Sequence, residues 1–121
     1  ASIISQEAAL EAIRNGGEAM AAMREAYRQR RNLMVRALNG MGLDCHSPRG
    51  SFYTFPGVLS TGLSSREFAM RLLKEEQVAC VPGDAFGPSG EGHLRCCFAA
   101  SLDAIELAME RMASCVKKIK G

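Results

Sequence analysis

V81-P-G-D-A-F-G-P-S-G-E-G-H-L-R-C-C-F-A-A-S101 runs from a loop dense in glycine and proline into a short apolar strand that contains one arginine, Arg95. Side chains alternate across a strand, so Leu94, Cys96 and Phe98 fall on one face while His93, Arg95 and Cys97 fall on the other. A guanidinium stays charged at any accessible pH, and burying it unpaired costs several kcal/mol, so Arg95 must meet an anion or keep an open face. On the residues alone two readings stand. Arg95 is either paired inside the chain with a carboxylate such as Asp84 or Glu91, or held for an anion from outside.

Working outward, Gln77 to Val81 reads as a second strand and Ser51-Phe52-Tyr53-Thr54-Phe55 as a third, entered through Pro48-Arg49-Gly50 and left at Pro56-Gly57. Between them Ser64 and Glu67 have the spacing of a capping box, with Leu63 and Phe68 placed as a hydrophobic staple. This predicts a helix whose buried side is Phe68, Leu72 and Leu73. Ser101 caps a last helix on which Ile105, Met109, Met112, Val116 and Ile119 form one apolar stripe. Upstream, Ser5 to Asn15 is Ala-rich and helical, and Asn15-Gly16-Gly17 is expected to end it as a C-terminal cap. A long helix follows, with Met20, Met23, Tyr27, Met34, Leu38 and Met41 as its core side and Arg24, Arg28, Arg31 and Arg36 as a solvated side. The expected fold is α/β (α+β): a two-layer small domain of helices packed on a three-stranded sheet.

The 121 residues suit a single domain, and a net charge of +2 with interspersed acids and bases argues against nucleic-acid or polybasic membrane partners. The sequence contains no membrane-length apolar run and no secretory layout, which gives a cytoplasmic expectation. Five cysteines, Cys45, Cys80, Cys96, Cys97 and Cys115, have no zinc-ligand spacing and read as reduced thiols, with no metal site expected. Neither His46 nor His93 has partners at a spacing that suggests a triad. No catalytic residue is identified.

The order of P48-R-G-S-F-Y-T-F55, S64-S-R-E-F-A-M-R-L-L73, V78-A-C-V-P-G-D-A-F-G87, G90-E-G-H-L-R95 and Ser101, together with Y27-R-Q-R-R31, resembles the C-terminal small domain of the fold-type-I, pyridoxal-phosphate-dependent aminotransferases. The resemblance covers almost the whole chain, and its specificity lies in the succession of motifs rather than in any one of them. It implies a parent enzyme, homodimeric, that moves an amino group between an amino acid and a 2-oxo acid. It also implies that Arg95 binds the substrate α-carboxylate and that Phe52 is a weaker substrate contact. Residues 1–16 would be an inter-domain helix. The chain departs from the family in lacking the large domain: Lys74, Lys117, Lys118 and Lys120 do not match the cofactor-bonding lysine. The fragment alone is therefore expected to be inactive and to bind no pyridoxal phosphate specifically. Rival readings are a non-catalytic small-molecule-binding module and the same domain in a decarboxylase or synthase.

Overall fold

A computed structural model describes all residues 1–121. Its elements are α1 (Ile3–Asn15), α2 (Gly17–Gly40), β1 (Tyr53–Thr54), α3 (Ser65–Glu76), β2 (Val81–Pro82), β3 (Leu94–Cys97) and α4 (Leu102–Lys120). Short 3-10 turns occupy Leu59–Thr61, Gly83–Phe86 and Pro88–Gly90. The sheet has the order β1-β3-β2 and both pairings are antiparallel, so the arginine strand lies in the middle. Tyr53 pairs with Cys97, Thr54 with Cys96, Val81 with Arg95 and Pro82 with Leu94. The expected two-layer architecture of helices on a three-stranded sheet is what forms.

Strand limits differ from the sequence reading, for local reasons. Gln77 adopts the left-handed region at φ 56° and closes α3, while the Val78 amide reaches back to the Leu72 carbonyl. Residues 77–78 are thus committed to a helix cap, and pairing as β2 begins only at Val81. Ser51, at φ 67°, likewise shortens β1, although Phe98 N–H still donates to the Phe52 carbonyl at 2.9 Å.

The helices also depart from expectation in two places. Gly16 caps α1 as expected, its N–H donating to the Ala12 carbonyl, but it does so in a right-handed conformation (φ −78°) and also starts α2, so the chain bends there with little interruption. Any Cβ at Gly16 would press into the Ala12 carbonyl, which is why glycine occupies the bend. Only the second half of α2 enters the core, through Met34 and Leu38; Met20 is 65% and Met23 59% exposed because no other element covers that end. On α3 the buried side is Ser65, Phe68, Ala69 and Leu72, and Leu73 is 46% exposed. At 100° per residue, Leu73 lies about 90° from the middle of that stripe.

The capping box forms as read. Glu67 N–H donates to Ser64 Oγ at 3.3 Å, and Ser64 N–H donates to Glu67 Oε2 at 2.9 Å. Leu63 packs half-buried on the core beside the fully buried Phe68. Glu91 Oε1 accepts from Ser65 N–H at 2.9 Å, satisfying another free amide of the helix start. The hydrogen bonds from Ser64 hold the Glu67 carboxyl below its ordinary range. The Glu67 carboxylate's share of the cap is therefore present above the ordinary carboxylate pKa and is lost as pH falls through the depressed one, while the bond from Glu67 N–H to Ser64 Oγ does not titrate. Ser64→Ala is expected to lower stability by about 0.5–2 kcal/mol, read as a shift in urea midpoint at neutral pH. That cost should shrink in acid.

The core joins α2, α3, α4 and the inner face of β3 through Met34, Leu38, Phe68, Leu72, Leu94, Phe98, Ile105, Met109 and Met112. Arg31 Nη1 donates to the Pro48 carbonyl at 3.2 Å and ties the turn before β1 to α2. No helix is long and apolar enough to cross a membrane.

Candidate substrate-anion site

β3 alternates as expected: Leu94, Cys96 and Phe98 are buried, Arg95 is half-buried and Cys97 is exposed. Residues directly opposite one another in an antiparallel pair share a face. The Tyr53↔Cys97 register thus brings Tyr53 to the Arg95 side of the sheet. Its ring lies 4.5 Å from the Arg95 guanidinium carbon. The ring of Phe86, at the end of the turn after β2, is centred 4.2 Å from the same carbon. The guanidinium carbon thus lies over two aromatic ring faces, which offer it no hydrogen-bond acceptor of their own and leave its N–H groups for another partner. Phe55 and His93 extend this face, stacked at 5.2 Å and 12°.

No acid within the chain answers this charge. Asp84 binds Arg66 through Oδ2 at 3.3 Å, and its Oδ1 is buried without a partner. Glu91 caps α3. The four ion pairs of the chain are Arg28–Glu25, Arg66–Asp84, Arg71–Glu75 and Lys118–Glu76, and Arg95 enters none of them. The internal pairing of Arg95 with Asp84 or Glu91, open on the sequence, does not form.

The loop that brings up Phe86 depends on two glycines. The backbones of Gly83 and Gly90 pass so closely that a Cβ on either would overlap the other's carbonyl oxygen. The Gly83 amide also donates to the His93 carbonyl at 2.8 Å, which fixes the turn against β3.

Phe52 and Arg95 are not brought together. Phe52 precedes β1 and packs between Tyr53, ring centroids 4.6 Å apart, and Tyr27 at 6.4 Å, so it reaches Arg95 only through the Tyr53 ring; it also borders a cleft of about 780 Å³ whose rim holds Arg24, Arg28, Arg31 and Arg49. Sequence reading missed Tyr53 and Phe86 as neighbours of Arg95. Only the pairing register, Tyr53 opposite Cys97, says that Tyr53 shares the face of Arg95. Among the two histidines, His46 is exposed and His93 stacks on Phe55 with Nδ1 3.2 Å from the Glu91 carbonyl oxygen.

Comparison with known proteins places this geometry in a family context. The sequence model of the aminotransferase class I and II family matches residues 1–112. Aromatic-amino-acid aminotransferase 2 of Thermococcus litoralis is 44% identical over 117 residues, covering 95% of this chain and 30% of its own length. The crystal structure of an aromatic aminotransferase from Pyrococcus horikoshii superimposes with a TM-score of 0.86 at 44% identity, over 88% of this chain and 28% of that one. Aspartate aminotransferase from Thermus thermophilus with maleate does so at 0.82 and 38% identity, over 93% of this chain and 29% of that one. The chain spans about 28–30% of the length of the relatives it matches.

Proposed function

The chain belongs to the aminotransferase class I and II family, and from that premise we propose that it is the substrate-carboxylate-binding domain of a larger enzyme transferring an amino group between an amino acid and a 2-oxo acid. One observation carries the reading: Arg95 is half-buried, packed against the Tyr53 and Phe86 rings and without an internal acid. A guanidinium held this way presents a flat fork of donors, the complement of a planar carboxylate. The maleate of the Thermus relative is a dicarboxylate, an anion of the class such a fork takes.

Within this reading Tyr53 and Phe86 orient the fork, and the Gly83–Gly90 crossing keeps Phe86 in place. Phe52 is the wall of the neighbouring cleft, a secondary contact that touches the Arg95 site through the Tyr53 ring. Closure of this domain over the substrate would remove water from around the Arg95–carboxylate pair and strengthen it. α1, whose residues Ile3, Ile4 and Ile13 are all exposed, is the segment proposed to lie between this domain and the rest of the enzyme.

Pyridoxal phosphate, when bound, supplies the electron sink for amino-group chemistry. The residues of this chain do not fit it. Lys74 is exposed on α3, while Lys117, Lys118 and Lys120 are exposed at the end of α4, where Lys118 is paired with Glu76 at 2.7 Å. None is among the side chains that surround Arg95. The cofactor is therefore assigned to parts of the enzyme outside these residues, and this chain contributes substrate binding alone.

Two measurements check the proposal. Titration of the 121-residue chain with pyridoxal phosphate, followed by borohydride trapping and peptide mapping, should give scattered substoichiometric lysine adducts. One saturable adduct would move the cofactor site into this chain. With the whole enzyme, each new amino acid formed should match one 2-oxo acid released. Carbon dioxide released in place of the 2-oxo acid would instead favour a decarboxylase.

A further inference from the structure

The buried side of β3 carries a second reactive arrangement, independent of Arg95 and of the function proposed for it. Cys80 precedes β2, and continuing the Val81↔Arg95 register places it opposite Cys96. Their sulfurs are 3.5 Å apart. Gly83 N–H donates to the His93 carbonyl, and hydrogen-bonded and non-hydrogen-bonded pairs alternate along an antiparallel ladder. Counting back from that pair puts Cys80 and Cys96 at a non-hydrogen-bonded position. Cα atoms at such positions are about 4.5 Å apart. That falls within the span of about 4.4–6.8 Å that a disulfide bridges.

The two thiols are unequal. Cys96 is 3% exposed, whereas Cys80 is partly open to solvent. The hydrogen bond from Cys96 lowers the Cys80 thiol below its ordinary range. The same contact, with burial, raises Cys96. An accessible, more readily ionised sulfur beside a buried one is the layout of an attacking cysteine and its resolving partner.

We propose that Cys80 and Cys96 form a hydroperoxide-oxidisable dithiol that closes to a disulfide across β2 and β3. In the first step the Cys80 thiolate attacks the peroxide, the O–O bond breaks, the departing oxygen leaves as alcohol or water after taking a proton, and Cys80 becomes a sulfenic acid. In the second step the Cys96 sulfur attacks the Cys80 sulfur: the S–S bond forms, the S–O bond breaks, and hydroxide leaves with the Cys96 proton as water. Two electrons pass from the sulfur pair to the peroxide. Cys97 is excluded by geometry, since it faces the other way and is exposed. The pair lies one register step from Val81↔Arg95, so the bond would tether β2 to the arginine strand.

The test uses the whole protein treated with hydrogen peroxide, alkylated, cut with trypsin and mapped by mass spectrometry. Cys80 lies in the peptide Glu75–Arg95, Cys96 in Cys96–Arg111 and Cys45 in Ala37–Arg49. The expected product is a cross-link between Glu75–Arg95 and Cys96–Arg111 that dithiothreitol reverses. It should persist in Cys97→Ser and disappear in Cys80→Ser, where Cys96 stays alkylatable after denaturation. Three outcomes would overturn the proposal: Cys80 oxidised to sulfinic acid with no cross-link, a link to Ala37–Arg49 instead, or a link that survives in Cys96→Ser and is lost in Cys97→Ser. The cross-link map of the unsubstituted protein separates the first two of these outcomes from the expected one even if a variant fails to fold.

Discussion

Replacing Arg95 with lysine in the whole enzyme is expected to lower kcat/KM by about 2–5 kcal/mol, roughly thirtyfold to a few thousandfold, the range for breaking a desolvated, hydrogen-bonded charge pair. Lysine retains the positive charge. It loses the flat fork, and its compact ammonium cannot present the same two parallel donors beside the Tyr53 and Phe86 rings. Arg95→Ala should cost at least as much. Thermal stability should change little in Arg95→Lys, because no carboxylate in the chain pairs with Arg95, while Arg95→Ala also gives up the packing on the Tyr53 and Phe86 rings and should melt somewhat lower. Steady-state kinetics and melting curves on the same preparations separate the two effects. A large melting shift with unchanged kcat/KM would make Arg95 a structural residue.

Phe68→Ala is expected to remove about 3–5 kcal/mol of folding stability, since a fully buried ring is lost and α3 cannot collapse into the space left behind. Against a typical domain total of about 5–15 kcal/mol, that leaves the 121-residue chain close to unfolding. Leu73→Ala, five residues along the same helix, should cost clearly less, because its side chain lies at the edge of the stripe and is 46% exposed. Urea midpoints for the two variants test the rotation of α3 directly. Equal losses would mean that the helix is rotated from the observed setting so that Leu73 is buried as deeply as Phe68.

What the sequence made legible follows from how locally each feature is determined. Ser64, Glu67 and Leu63 specify the start of α3 within a few residues, and Ser101 does the same for α4, so both caps were readable before any fold was known. The face of Arg95 was equally readable, because alternation over Leu94–Cys97 needs no partner strand. Leu73 was misread because three apolar residues at 68, 72 and 73 are compatible with two rotations of the helix, and Ala69 is too small to announce itself. Met20 and Met23 carry an apolar pattern that nothing in this chain covers. Non-local geometry was the real limit. The aromatic site joins residues 53, 86 and 95, and Tyr53 and Phe86 become neighbours of Arg95 only through the β1-β3-β2 order and the close passage of Gly83 past Gly90. No spacing rule in one strand contains that information.

The central claim is that Arg95 recognises an α-carboxylate, and the most direct measurement compares an amino-acid substrate with the corresponding amine that lacks only that group. In the whole enzyme, kcat/KM for the amino acid should exceed that for the amine by a large factor, and Arg95→Ala should collapse the ratio by roughly the same factor it removes from the amino-acid reaction. Activity on the amine itself should be nearly unchanged. If Arg95→Ala instead lowers both reactions equally and leaves the ratio intact, Arg95 does not bind the carboxylate.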